Sequence, residues 1–152
     1  MNDEQLQTIR NHQGAAAVDV VPIAIDLGLQ VYKVAAFPDD LCGMIRKEEE
    51  EKYAIHVNDS HHVHRRRFTI AHEIAHFLLH KELIGDGLVD DAMYRSGLGS
   101  SLESEANRLA ADILMPWHLL NLPEYDHMSI KQKADAFMVS EASMAIRLGV
   151  PA

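Results

Sequence analysis

The stretch 68–80, FTIAHEIAHFLLH, constrains this chain more than any other. Ile70, Ala71, Ile74, Ala75, Phe77, Leu78 and Leu79 make it apolar nearly all round the helix it encodes. A helix of that kind is buried. Yet it carries His72, Glu73, His76 and His80. Ionisable groups are costly to bury alone, so the fold must surround them with hydrogen-bond partners or a metal ion. Residues four apart share one face of a helix, about 6 Å along its axis. His72 and His76, in the spacing His-Glu-x-x-His, can therefore chelate one tetrahedral zinc ion. Glu73 then projects beside the metal. From there it can take a proton from an attacking water and later pass it to a leaving amine.

A catalytic zinc site needs a third protein ligand and keeps one position open. Residues 101–115, SLESEANRLAADILM, read as a second helix, ended by Pro116. Glu103 and Asn107 are four apart and border the apolar stripe of Leu102, Ala106, Leu109, Ala110, Ile113 and Leu114. Glu105 lies about 200° round from Glu103, so the two cannot both face one metal. Glu103 is assigned as the third ligand and Asn107 as the residue that orients a ligating histidine. Glu105 is the alternative ligand. His80 extends the row of His72 and His76 by another turn, too far from His72 to share its metal, and is assigned a supporting or packing role.

Composition narrows the remaining classes. The chain has 152 residues, enough for a single domain with a full core. Its net charge of −9 argues against general nucleic-acid binding, which rests on cations neutralising phosphates. The one cysteine, Cys42, excludes an internal disulfide and a Cys-rich metal site and reads as a small apolar strand residue. There is no basic-then-apolar leader at the start, and no apolar run approaches the ~20 residues a membrane span needs. A cytoplasmic protein is expected.

Along the chain, 2–13 reads as a surface helix and 17–28 as a short amphipathic one with Pro22 early and Gly28 as its stop. Residues 29–37, 41–48 and 52–58 read as strands, with the acidic run 48–51 at a hairpin turn. Asn58, Asp59 and Ser60 offer caps for a helix over 61–80. Residues 84–100 contain four glycines and no clear period, so they read as a long loop that could serve as a lid. Two short helices follow, near 129–137 and 140–148. They have a helix-turn-helix look, but the second carries Arg147 as its sole cation, so packing or a protein partner is expected rather than DNA. His61, His62 and His64 form a basic run with Arg65, Arg66 and Arg67, and Arg65 and Arg67 are expected to pair with carboxylates. His118 and Trp117 are candidates to line a cleft.

RRRFTIAHEIAHFLLH (65–80) and ESEANRLAADILMP (103–116) resemble the two signature segments of the ImmA/IrrE family of zinc metallopeptidases. Arg65, Arg67, Phe68, Thr69, Ala71, His72, Glu73, His76 and His80 match the first. Glu103, Ala106, Asn107, Ala110, Leu114, Met115 and Pro116 match the second. Leu109 stands where that family usually has phenylalanine, and Ile113 where it often has leucine; both stay apolar. The resemblance extends over roughly residues 16–150. It implies an endopeptidase holding Zn2+ with His72, His76 and Glu103, using Glu73 as its base. It also implies a protein substrate, typically a helix-turn-helix transcription regulator of a mobile element, phage or stress regulon. The alternative is a zinc-binding regulator, or a toxin–antitoxin-like component, that binds its partner without cutting it.

The expected fold is α+β and zincin-like: a small, mostly antiparallel three-stranded sheet with an active-site helix and a helical C-terminal part. Residues 1–152 are expected to form one metallopeptidase domain, a core over about 16–116 followed by a helix-turn-helix-like segment over 117–152. The chain is expected to be the bare catalytic core, without a sensory or DNA-binding module.

Overall fold

A computed structural model describes residues 1–91 and 98–151. The α+β class holds. Helices α1 (Asp3–Asn11) and α2 (Val20–Asp26) lead into strands β1 (Leu29–Val34), β2 (Leu41–Glu49) and β3 (Lys52–Asn58). The central helix α3 (Val63–Leu79) follows, then strand β4 (Leu88–Asp91) and helix α4 (Ser100–Leu114). Three shorter helices close the described chain: α5 (Trp117–Leu120), α6 (Ile130–Phe137) and α7 (Glu141–Leu148). No helix among the described residues is long and apolar enough to cross a membrane.

The sheet has four strands rather than the expected three, in the order β1-β3-β2-β4. β1 lies parallel to β3, while β2 is antiparallel to both β3 and β4, so the mostly antiparallel reading stands. The extra strand comes from the segment read as a loop. After α3 a short 3-10 turn, Lys81–Leu83, leads to Gly85, whose φ of +53° needs a residue tolerant of left-handed backbone. That turn lays residues 88–91 along β2, with Leu88 opposite Ile45. Four residues are too few to display a period, so composition alone reads as loop. The lid expected within 84–100 falls partly on residues 92–97, which lie outside the described residues.

Helix α3 packs against β2 and β3 and against α4. Its residues from Thr69 to Leu78 are all buried, as the all-round apolar pattern requires. Asn58 does not cap it. That side chain is fully buried and donates to the carbonyls of Pro38 (3.1 Å) and Leu41 (2.8 Å), while its oxygen accepts from the Ser60 backbone and hydroxyl. It thereby pins the strand-to-helix corner. His62 is the cap, accepting from the His64 N–H at 3.1 Å.

The close approach of helix to sheet is built on Gly43. A β-carbon there would lie 2.6 Å from the His56 carbonyl oxygen and 2.7 Å from Thr69 Cγ2 of α3. One of these neighbours is backbone, so the clash cannot be relieved by a rotamer change. Gly43→Ala is expected to lower stability by about 1–3 kcal/mol, read as a fall in the urea midpoint. An unchanged midpoint would mean that Gly43 does not set the spacing between α3 and β2.

Candidate metal centre

Within α3, His72, Glu73 and His76 are wholly shielded from solvent, and Glu103 of α4 is only 4% exposed. The two helices bring one ligand atom each from His72, His76 and Glu103 within 4.8 Å of one another. The Glu103 carboxylate spans the two rings. Its Oε2 lies 3.2 Å from His72 Nε2 and its Oε1 lies 3.0 Å from His76 Nε2. Donors around a tetrahedral zinc ion sit about 3.4 Å apart, so this spacing is close to what such an ion requires. Two imidazole nitrogens and one carboxylate also form a chemically suitable donor set. Glu103 stands in the first turn of α4, where the helix dipole favours a negative group.

The imidazoles are held from behind. His72 Nδ1 lies 2.8 Å from Asn107 Oδ1, one turn along α4 from Glu103. Asn107 thus occupies the position expected of an orienting residue. His76 Nδ1 lies 3.0 Å from His80 Nδ1, and His80 Nε2 lies 3.3 Å from Glu105 Oε1. Glu105 therefore faces His80, while Glu103 faces the two candidate ligands. Sequence spacing separated the faces of Glu103 and Glu105. It did not reveal that Glu105 meets His80, because that contact depends on how α4 lies against α3.

The other candidates stay outside the cluster. His118 is exposed and bonds to the Gln13 carbonyl oxygen at 2.8 Å. His61 bonds to the Asp39 carbonyl oxygen at 2.8 Å, and His62 serves as the α3 cap. Arg67 was expected to meet a carboxylate. Instead it donates to the carbonyls of Met138 (3.2 Å) and Phe137 (3.3 Å), satisfying the end of α6. Burial lowers the pKa of Arg67, opposed by the charge of Asp19. Burial, with His62 and Arg67 nearby, likewise lowers that of His64. Cys42 is buried in β2 as expected.

A cleft of about 720 Å³ reaches Asn107, behind the His72 ring, and is lined by none of His72, Glu73, His76 and Glu103. Its walls include Phe68, Met115, Val139 and Ile146, with Arg65 and Arg108 among its cationic residues. Ile146 is 81% exposed. Arg147, the cation of α7, is turned into the fold. It pairs with Asp112 at 2.8 Å, donates to the Met115 carbonyl at 2.9 Å and lies over the Trp117 ring.

Metal binding to the folded chain alone would raise its stability by mass action. Added Zn2+ is expected to raise the melting temperature by several degrees, and a chelator to reverse the shift. His76→Ala is expected to abolish it. An equal shift in His76→Ala would show that the ion binds elsewhere.

Comparison with known proteins bears on the family and the fold. Residues 22–149 match the peptidase M78 family model, described as the IrrE N-terminal-like domain. Metallopeptidase ImmA of Bacillus subtilis (strain 168) is 32% identical over 91 residues, which are 59% of this chain and 51% of that protein. A Mycobacterium tuberculosis transcriptional regulator superposes with a TM-score of 0.64 at 17% identity, over 99% of this chain and 48% of that one. The second likeness is one of fold. The chain spans about half the length of each of these two proteins. By the family match over most of its length, this chain belongs to the IrrE N-terminal-like family of ImmA/IrrE-type metallopeptidases.

Proposed function

We propose that this protein is a zinc-dependent endopeptidase that cuts one peptide bond in a specific regulatory protein, a helix-turn-helix transcription regulator. The observation that carries the reading is the convergence of His72, His76 and Glu103 on one point, with Glu73 buried on the same helix. His72, His76 and Glu103 would hold the ion. When bound, zinc acts as a Lewis acid that polarises the scissile carbonyl and makes water a stronger acid. Glu73 takes a proton from the attacking water as its oxygen adds to the carbonyl carbon. The same carboxylic acid then delivers that proton to the amine nitrogen as the C–N bond breaks. Asn107 keeps the His72 ring oriented through these steps.

The cleft behind Asn107, away from the ligand cluster, offers a partly apolar surface for a protein partner to dock on, with Ile146 81% exposed. A protein partner suits this surface better than DNA. The net charge is −9, and Arg147, which a recognition helix would present to phosphate, is engaged by Asp112 and Trp117. We read residues 1–152 as one metallopeptidase domain working in the cytoplasm, a core over about 16–116 joined to the helical segment 117–152.

The test is to mix the zinc-loaded protein with a helix-turn-helix regulator encoded beside its gene. The wild type is expected to cut it. Glu73→Gln is expected to keep about one zinc per chain and to lose at least 100-fold in cleavage rate. A regulator that is bound but left intact by the zinc-loaded wild type would replace the peptidase reading with sequestration.

A further inference from the structure

We propose that the cleft between α3, α4 and α7 docks an acidic segment of a partner protein, one whose carboxylates flank apolar side chains. The proposal rests on that cleft receiving a protein, not on the metal centre cutting one. Its lining is of two kinds. Phe68, Met115, Val139 and Ile146 are apolar, while Arg65, Arg108 and Arg147 are cationic. No aspartate or glutamate is among the described residues that line it, although the whole chain carries a net charge of −9. The excess negative charge therefore lies elsewhere, and this concavity has the opposite sign.

The three arginines are not equally placed to meet a partner. Arg147 is already held by Asp112 at 2.8 Å. Arg108 of α4 is exposed and makes no hydrogen bond or ion pair with any described residue. Its planar guanidinium stays charged at any working pH and matches a carboxylate with two parallel hydrogen bonds. Arg65 stands in the first turn of α3, where the helix dipole is also positive and no acidic residue offsets it. The apolar wall asks for a different complement, since its side chains gain by leaving water. A volume of about 720 Å³ lies within the range of pockets that hold a drug-sized ligand, room enough for a few peptide side chains. Ile146 lines the cleft and is still largely exposed, so the lining opens to solvent instead of closing round a small molecule. A peptide that alternates carboxylates with aliphatic or aromatic side chains satisfies both parts of the wall. Duplex DNA offers the anions without the apolar groups, and its phosphates are repelled by the rest of this acidic chain.

A displayed random peptide library selected on the full chain tests the assignment. Binders are expected to be enriched in Asp and Glu beside Leu, Ile or Phe, and to weaken as salt rises. For a selected peptide followed by fluorescence anisotropy, Arg108→Glu is expected to raise Kd at least tenfold, and Arg108→Lys to retain most of the affinity. Ile146→Ser is expected to raise Kd about tenfold through lost apolar burial. Lys33→Glu makes the same charge change at an exposed position of β1 outside the cleft, and is expected to stay within twofold of the parent. Enrichment of basic or uncharged peptides would overturn the proposal. So would a selected peptide indifferent to Arg108→Glu, or a short DNA duplex that displaces it at equal concentration. These measurements read binding alone. Docking by a protein that cuts nothing would refute the peptidase reading and leave the cleft assignment standing. Cleavage of a regulator by a protein that selects no acidic peptide would refute the cleft assignment alone.

Discussion

The burial of a polar row on α3 is the constraint around which the rest of the molecule is arranged. His72, Glu73 and His76 lie in the interior of a helix whose other surfaces are packed with aliphatic side chains. An interior of low polarity penalises isolated polar groups by several kcal/mol. The fold must therefore bring a second polar row to meet the first, and α4 does so. Glu103 and Asn107 face His72, and Glu105, on another side of the same helix, reaches His80. The helix pair is thus joined by polar contacts along at least two turns, each tied to the identity of the groups on both sides.

The sheet serves that pairing by holding α3 in place. Gly43 lets Thr69 sit against β2 at a distance no side chain would tolerate. Asn58 fixes the corner through which β3 turns into α3, using both its amide donors and its oxygen. On the far side, Arg67 and Arg147 tie the C-terminal helices to the core through backbone carbonyls and, for Arg147, through Asp112. Arginine suits this use because its planar fork satisfies several acceptors at once and its charge is held through partial burial. A helix pair that looks DNA-binding in sequence is in this way turned into part of the wall of a cleft.

The two histidines of the candidate site differ in what holds them from behind. A metal-binding imidazole usually needs a partner on its other nitrogen, and both histidines have one. For His72 it is a nearby amide, and for His76 it is a second histidine backed by a carboxylate. Such an arrangement sets ring rotation as well as position, which matters when the donors must converge within a few tenths of an ångström.

Much of the centre was legible in the residues themselves. Helical periodicity alone places His72 and His76 on one face, puts Glu103 and Asn107 together, and turns Glu105 away. These are local relations, fixed by 3.6 residues per turn whatever the rest of the chain does. The apolar surround of the same helix dictates its burial for the same local reason. What required the tertiary structure is everything set by packing between distant segments. β4 is too short to carry a period and exists because β2 offers it an edge. Arg67 meets carbonyls rather than carboxylates because α6 ends beside α3. Glu105 meets His80 because of the angle at which two helices cross. Sequence spacing determines which side chains share a face; only packing between elements decides what that face meets.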